Sequence, residues 1–250
     1  MAGTVHVETI EGRICRLTLD NPPMNAMGEN MREILVAALD RVEADPHVRV
    51  ILLTGTGPAF CAGDDLKRDK TKDTGPAGFG PMLQRLSSLR IPVIGAINGW
   101  CIGGGFELAL TCDIRIASTE ARFTAAGVNM GLMSSAYRLP RLIGVSRAKA
   151  ILLTGSPVDA ATAEHYGLVT GLHAPEALQE AALTLARRVA SRAPLSVEAT
   201  KEVSGRAPDM DPETAAQMQG DWLKVLRASR DHAEAVAAFR EKRDPVFTRS

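Results

Sequence analysis

The sequence predicts an α/β fold, and three observations support this prediction. Short β-branched runs of strand length alternate with helical segments up to about residue 145. Beyond that point helical periodicity dominates, and glycine and proline residues separate the helices. The composition, with 45% apolar and 23% charged residues in a chain of 250, is typical of a globular protein with a large core. Strands that alternate with helices indicate parallel βαβ units, in which helices cover the sheet.

Four strands are predicted in the first half of the chain. They are the apolar, β-branched runs at residues 14–19, 48–53, 92–97 and 114–117. A helix is predicted at residues 28–42, because Met31, Leu35 and Leu39 recur at helical spacing. Asn98 and Gly99 predict a turn directly after the third strand.

The second half of the chain is predicted to be mostly helical. The predicted helices cover residues 146–153, 160–166, 176–191, 195–203, 212–228 and 231–243. The sequence contains no repeat of fixed period, which excludes a solenoid. The pattern therefore predicts one α/β core with a helical C-terminal region rather than two independent domains.

The charge and cysteine content exclude several classes of protein. Lys plus Arg and Asp plus Glu both total 29, so no basic field favours nucleic acid or a membrane surface. The four cysteines form no CxxC pair and no zinc-like cluster with histidine, so no metal is expected. The first residues lack the layout of a signal peptide, and no segment is apolar for long enough to span a membrane. We therefore expect a cytoplasmic protein with reduced cysteines.

A first glycine-rich segment, TGTGPAFCAGDDLK at residues 54–67, directly follows the second predicted strand. Its small residues let the backbone approach a ligand, and turning amides can point at an anion. By itself, however, the segment is typical of a simple turn between a strand and a helix. A dinucleotide fingerprint is excluded, because no GxGxxG runs into a helix here.

A second glycine-rich segment, NGWCIGGGFELA at residues 98–109, follows the third predicted strand. Three glycines, Gly103 to Gly105, precede a helical run at residues 106–111, which places free N–H groups at a helix N-terminus. A tight turn alone would need fewer glycines. Glu107 lies in the first turn of this helix, where its carboxylate either complements the helix dipole or acts as a base.

Together these segments resemble the enoyl-CoA hydratase/isomerase (crotonase) family. The resemblance rests on AFCAGDDL at residues 59–66 and NGWCIGGGFELALTCDIRIA at 98–117. It continues through LPRLIG at 139–144, LLTG at 152–155, GLV at 167–169 and FREKRDPVF at 239–247, so it covers essentially the whole chain. One of these motifs alone would be weak evidence, but all of them in this order are strong.

The resemblance implies a crotonase-like (ClpP/crotonase) fold with a core of repeated ββα units. It implies one domain over residues 1–250, with the core at 1–190 and a helical trimerisation region at 191–250. The implied ligand is an acyl-CoA thioester, and no separate cofactor is needed, since coenzyme A is part of the substrate. The implied assembly is a homotrimer or a hexamer.

The resemblance also implies the site residues. The two amides of the family's oxyanion hole fall on Asp64 and Gly104, and the acid/base glutamate of its glycine-rich turn falls on Glu107. Preorganised amides of this kind stabilise the negative charge that develops on a thioester oxygen. The residues implied to bind substrate are Ala26, Ala62, Asp64, Asp65, Leu66, Lys67 and Gly104.

The sequence departs from the family's hydratases at one important position. Their second glutamate falls on Gly127, and their PGxGGT loop is replaced by the shorter stretch GLMSSAYRLP at residues 131–140. Hydration needs one group to activate water and another to protonate the α-carbon. The sequence therefore favours isomerase- or lyase-type proton transfer by Glu107 over efficient hydration.

Two alternatives stay open from the sequence. One is an acyl-CoA-binding protein with little or no catalytic activity. The other is a true hydratase in which Glu120, Tyr137 or another group has taken over the role of the second glutamate; Asn129 is a further polar group near this loop. A structural protein without a ligand would leave both glycine-rich turns unexplained.

Overall fold

A computed structural model describes residues 3–66 and 78–250. Its strands are β1 Thr4–Ile10, β2 Ile14–Asp20, β3 Val50–Gly55, β4 Ala59–Cys61, β5 Val93–Ile97, β6 Trp100–Ile102, β7 Ile114–Ser118, β8 Arg122–Thr124, β9 Val158–Asp159 and β10 Leu172–His173. Its α-helices are α1 Glu29–Ala44, α2 Phe79–Ser87, α3 Gly104–Thr111, α4 Arg138–Ile143, α5 Val145–Thr154, α6 Ala160–His165, α7 Leu178–Ala190, α8 Pro194–Arg206, α9 Pro212–Ala228 and α10 Arg230–Glu241.

The strands form two sheets within these described residues. The larger sheet has the order β1-β2-β3-β5-β7-β10, and the smaller sheet has the order β4-β6-β8-β9. Neighbouring strands are parallel except for the pairs β1–β2 and β8–β9, which are antiparallel. Because β4 and β6 are adjacent and parallel, the segments that follow them leave the sheet at the same edge.

The central strands β3 and β5 of the larger sheet are buried on both faces, which explains their continuous apolar sequences. In β3, Ile51 and Leu53 belong to the core cluster that includes α1, α2 and α3. Val50 and Leu52 face the other way and belong to a second cluster with α7. Successive side chains of a strand point to opposite faces, so one run of apolar residues supports both layers of helices.

The C-terminal helices carry apolar side chains that the single chain leaves uncovered. Helix α9 packs against α8 and α10, yet no residue of α9 is buried in the part of the chain that the structure describes. The ring of Phe239 in α10 is 86% exposed. Further exposed apolar residues in this region are Leu223, Val225, Val236 and Val246.

The prediction of an α/β fold with a helical C-terminal region is confirmed. The four predicted strands correspond to β2, β3, β5 and β7, and the helix predicted at residues 28–42 is α1. Some elements were not predicted, among them β1, β4, β6, α2 and α4. The region after residue 146 also contains the two-residue strands β9 and β10, so it is not purely helical.

No helix among the described residues is long and apolar enough to cross a membrane.

Candidate active site

The two glycine-rich turns meet at one edge of the smaller sheet. Cys61 and Cys101 are register partners in β4 and β6, and each strand is followed directly by its turn. Gly63 has a φ of 87°, and a Cβ built on it would lie 2.6 Å from the backbone nitrogen of Gly104. A side chain at Gly63 would therefore push the two turns apart. The contact between them requires glycine on both steric and conformational grounds.

The second turn presents the N-terminus of α3 to this contact. Gly103 is the N-cap with a φ of 53°, and α3 begins at Gly104. The N–H of Gly104 has no hydrogen-bond acceptor in the described parts of the chain, as expected for the first residue of a helix. A Cβ on Gly105 would lie 2.0 Å from the carbonyl oxygen of Cys61, so α3 packs directly on β4. A partial positive charge from the helix dipole lies at this point.

The loop before α1 runs beside the first turn like an additional strand. Met24 accepts a hydrogen bond from the N–H of Ala62 (2.9 Å), and Met27 donates one to the carbonyl of Gly63 (2.7 Å). The half-buried Ala26 between them therefore lies next to the first turn. Leu66, at the end of that turn, is 58% exposed.

Asp65 also links the first turn to the loop before α1, because its N–H donates a hydrogen bond to the carbonyl of Met27 at 3.3 Å. Lys67, the last of the predicted substrate-binding residues, lies outside the described residues. The structure thus brings Ala26, Ala62, Asp64, Asp65 and Gly104 together. Their roles in binding and catalysis stay predictions.

Asn25 holds the two loops together, and the sequence analysis did not identify it. Its side chain is fully buried and donates to the carbonyl oxygens of Ala59 (2.7 Å) and Thr56 (2.9 Å). Its own backbone has a φ of 53°, a conformation that asparagine tolerates better than most residues. An asparagine in a proline-rich loop was the signal that could have identified it.

Arg32 is a second residue that the sequence analysis missed. Its guanidinium Nη1 donates to Oδ1 of Asp64 at 2.9 Å, while the Arg32 side chain is only 1% exposed. The signal was present in the periodicity of α1, because Arg32 lies on the same helical face as Leu35 and Leu39. A charged residue on an apolar face indicates a buried partner.

Glu107 lies in the first turn of α3, next to the N-terminal amides, and is half-buried. Its Oε1 accepts a hydrogen bond of 2.6 Å from the backbone N–H of Ser135. Ser135 is buried and has a φ of 58°, a conformation that is uncommon for a residue with a side chain. The loop at residues 131–140 therefore holds one oxygen of the Glu107 carboxylate through Ser135, and this contact was not foreseen from the sequence.

The same loop fills the space beside Gly127. The carbonyl of Gly127 accepts a hydrogen bond from the N–H of Leu132 (2.8 Å), which folds the loop back on itself. A Cβ on Gly127 would lie 2.8 Å from the backbone nitrogen of Ser134 and 2.9 Å from its Oγ. A side chain at this position therefore has no room in the loop as it is folded.

We expect Gly127→Glu to gain no hydratase activity and to lower stability. Overpacking of this kind typically lowers the free energy of unfolding by about 1–3 kcal/mol. Denaturant unfolding would measure this loss, and an assay of crotonyl-CoA hydration would measure the activity. Gly205→Ala in α8 is the control, because its added Cβ meets no described atom within 4 Å. A stable Gly127→Glu protein that hydrates crotonyl-CoA would contradict this reading of the loop.

The other candidates near this loop have different surroundings. The side-chain amide of Asn129 donates to the carbonyl of Gly155 at the end of α5 (2.9 Å). Tyr137 is 62% exposed and lies against the guanidinium of Arg138. Glu120 is exposed in the turn between β7 and β8. None of the three forms a hydrogen bond with the Glu107 side chain in the described parts of the chain, where the carboxylate accepts from Ser135.

The cysteines are buried and free, and burial raises the pKa of each thiol. The pKa of Cys61 and of Cys112 is raised to about 12, and that of Cys15 to about 11. Such thiols stay protonated near neutral pH and are poor nucleophiles. The described residues also contain no cluster of histidine, cysteine and acidic side chains that could hold a metal ion.

Comparison with known proteins identifies the family. A family model described as enoyl-CoA hydratase/isomerase matches residues 9–250. The chain is 36% identical over 248 residues to (E)-benzylidenesuccinyl-CoA hydratase of Thauera aromatica, covering 95% of this chain and 96% of that one. It is 34% identical to 1,2-epoxyphenylacetyl-CoA isomerase of Escherichia coli K12, covering 96% of both chains. The chain belongs to the enoyl-CoA hydratase/isomerase family.

The solved structures confirm the predicted crotonase-like fold. The structure of an enoyl-CoA hydratase from Bacillus anthracis superposes with a TM-score of 0.95 at 32% identity. The match covers 99% of this chain and 100% of that chain. An acyl-CoA thioester is therefore the class of ligand that family membership supports. The division of the chain near residue 190 stays a prediction.

Proposed function

We propose that this protein stabilises the enolate of an acyl-CoA thioester between the N–H groups of Asp64 and Gly104, and that Glu107 transfers the proton. Isomerisation or elimination is then its main reaction, and hydration is slow. The observation that carries the proposal is the contact of the two glycine turns beside the helix turn that holds Glu107. No cofactor is needed beyond the coenzyme A of the substrate.

The proposed mechanism needs one base and two backbone donors. The thioester carbonyl oxygen accepts hydrogen bonds from both amides, and the Glu107 carboxylate removes a proton from the carbon skeleton of the acyl group. The electron pair of the broken C–H bond moves through the conjugated system to the thioester oxygen, and the two amides stabilise the resulting enolate. The protonated Glu107 then returns its proton at another carbon, which moves the double bond. In an elimination, the enolate electron pair instead forms the bond between the α- and β-carbons, and the β-substituent leaves with the electron pair of its own bond and takes up the proton from Glu107.

Turnover of two substrates tests this proposal. A 3-enoyl-CoA reports double-bond isomerisation, and crotonyl-CoA reports hydration, both by absorbance of the conjugated enoyl thioester. We expect isomerisation at the higher kcat, because a positioned second acid or base typically contributes about 10²–10⁴-fold and position 127 supplies none. Hydration of crotonyl-CoA as fast as isomerisation would show that another group has replaced the second glutamate.

An acyl-CoA-binding protein without catalysis is the second candidate. It is favoured by the compact loop at residues 127–135, which fills the position of the second glutamate and holds Glu107 through Ser135. Incubation of the protein with phenylacetyl-CoA in D₂O separates the two candidates, because only enolate formation exchanges the α-protons. Tight binding without any exchange would favour the binding protein.

We further propose that the chain assembles as a homotrimer or a hexamer in the cytoplasm. The uncovered apolar side chains of α9 and α10 support the assembly, and the buried free cysteines support a reducing compartment. Sedimentation at micromolar concentration is expected to show a trimer or larger. We expect Phe239→Lys, which places a charge on this uncovered face, to shift the distribution toward smaller species. A wild-type protein that sediments as a monomer would contradict the proposal.

A further inference from the structure

A groove lies between helix α8 on one side and helices α3 and α4 on the other, and we call it the α8 groove. Its volume of about 930 Å³ is in the range of small-molecule pockets. Leu110, near the C-terminal end of α3, lines it. The α8 groove therefore lies at the opposite end of α3 from the proposed oxyanion hole. Its other apolar lining residues include Pro92, Leu142, Val189 and Val197.

The α8 groove carries an excess of positive charge, although the chain as a whole has no net charge. Among the described residues, five basic and only two acidic ones line it. Both acidic residues are already paired. Asp113 accepts from Lys201 at 2.9 Å, and the carboxylate of Asp209 accepts from a neighbouring arginine, Arg141. The basic residues that have no acidic partner within the described chain are Arg115, Arg138 and Arg192.

Arg115 is the most deeply buried of these three, because only 6% of it is exposed. Its Nε donates to the carbonyl of Leu168 at 2.8 Å, and its Nη1 donates to the carbonyl of Cys112. Its Nη2 makes no hydrogen bond to a described residue. Burial lowers the pKa of the Arg115 guanidinium, so its positive charge is disfavoured in the free chain. An anion that binds to Nη2 would replace the lost hydration of this cation.

We infer that the α8 groove binds an aliphatic carboxylate, a molecule of the class of free fatty acids, with its carboxylate on Arg115 and its chain along the apolar walls. The planar guanidinium matches the geometry of a carboxylate. An inorganic anion would leave the apolar walls uncovered, and an uncharged chain would leave the three arginines uncompensated. This inference concerns a site outside the proposed active site and does not depend on the proposed function.

Titration calorimetry of the full chain with decanoate tests this inference. We expect one decanoate to bind per chain, with a dissociation constant of about 0.1 mM or tighter for a ligand of this size. Decanol lacks the charge and inorganic phosphate lacks the chain, so each is expected to bind at least about tenfold more weakly. Absence of decanoate binding, or an affinity equal to that of decanol, would overturn the inference.

Substitution of the arginines locates the bound decanoate. Arg115→Met removes the buried guanidinium and is expected to weaken binding by about 10–100-fold, the usual effect of losing a charged hydrogen bond. It also removes the donors to Leu168 and Cys112, so a second variant is needed in case the protein does not fold. The double variant Arg138→Met/Arg192→Met leaves Arg115 in place and is expected to weaken binding by about tenfold.

Arg188→Met is the matched control for the double variant. Arg188 is an exposed arginine near the C-terminal end of α7, and it does not line the α8 groove. We expect it to bind decanoate like the wild type. Equal affinities of the control and the double variant would overturn the inference.

Gly104→Pro distinguishes the α8 groove from the proposed active site as the place of binding. This substitution alters the proposed oxyanion hole at the far end of α3 and leaves every lining residue of the α8 groove unchanged. We expect its affinity for decanoate to equal that of the wild type. A loss of affinity of about tenfold or more would show that decanoate binds at the oxyanion hole, and would overturn the inference.

Discussion

Glu107→Gln is expected to lower the kcat for isomerisation by about 10²–10⁴-fold, which is the usual contribution of a positioned acid or base. The amide of glutamine cannot accept a proton from carbon at neutral pH. It retains an oxygen that can accept the hydrogen bond from Ser135, so the fold around α3 should stay intact. The affinity for acyl-CoA is expected to stay within a few-fold, because the proposed carbonyl contacts are made by backbone amides. Titration calorimetry with a saturated acyl-CoA would measure that affinity.

Glu120→Gln is the companion variant for this experiment. Glu120 is an exposed carboxylate in a turn, and it is one of the groups that could have replaced the second glutamate. A large loss in Glu107→Gln with little change in Glu120→Gln supports Glu107 as the proton-transfer residue. The reverse result would place the chemistry in the turn between β7 and β8.

Gly104→Pro is expected to lower kcat by about 10²–10³-fold, because proline has no N–H to stabilise the enolate. Proline is well tolerated at the first position of a helix, so α3 itself should form. The added side chain is a separate perturbation, since a Cβ at Gly104 would lie 2.5 Å from the ring of Phe79.

Gly104→Ala is the control that separates these two effects. It adds the same Cβ but keeps the N–H, and the Phe79 ring is the end of a side chain that can shift. The ratio of kcat between the alanine and proline variants then isolates the hydrogen bond. Equal activity of the two variants would show that this N–H does not stabilise the transition state.

The sequence predicted the larger sheet better than the smaller one, for a physical reason. Strands β3 and β5 are buried on both faces, so their apolar β-branched runs stand out. Strands β4 and β6 have three residues each and lie next to glycines that a sequence reading assigns to turns. Their pairing depends on partners about 40 residues apart, which local periodicity does not report.

In the site, too, residues within one local sequence pattern were predicted, whereas contacts between distant segments were not. Helix-start chemistry was enough to single out the glycines 103–105 and Glu107 as candidates, because three glycines before a helical run form a local pattern. The choice of Gly104 among them came from the resemblance to the family. The hydrogen bond from Ser135 to Glu107 and the ion pair from Arg32 to Asp64 each join separate segments. Only the folded chain shows that they meet.

The parallel pairing of β4 with β6 has a consequence for how the protein loses activity on heating. The distance between the two turns is set by the pairing of β4 with β6 in the smaller sheet, in which Cys61 is the register partner of Cys101. Slow amide deuteration in these two strands would report the opening of their hydrogen bonds. We expect the rate constant for thermal inactivation to follow the deuteration of β4 and β6.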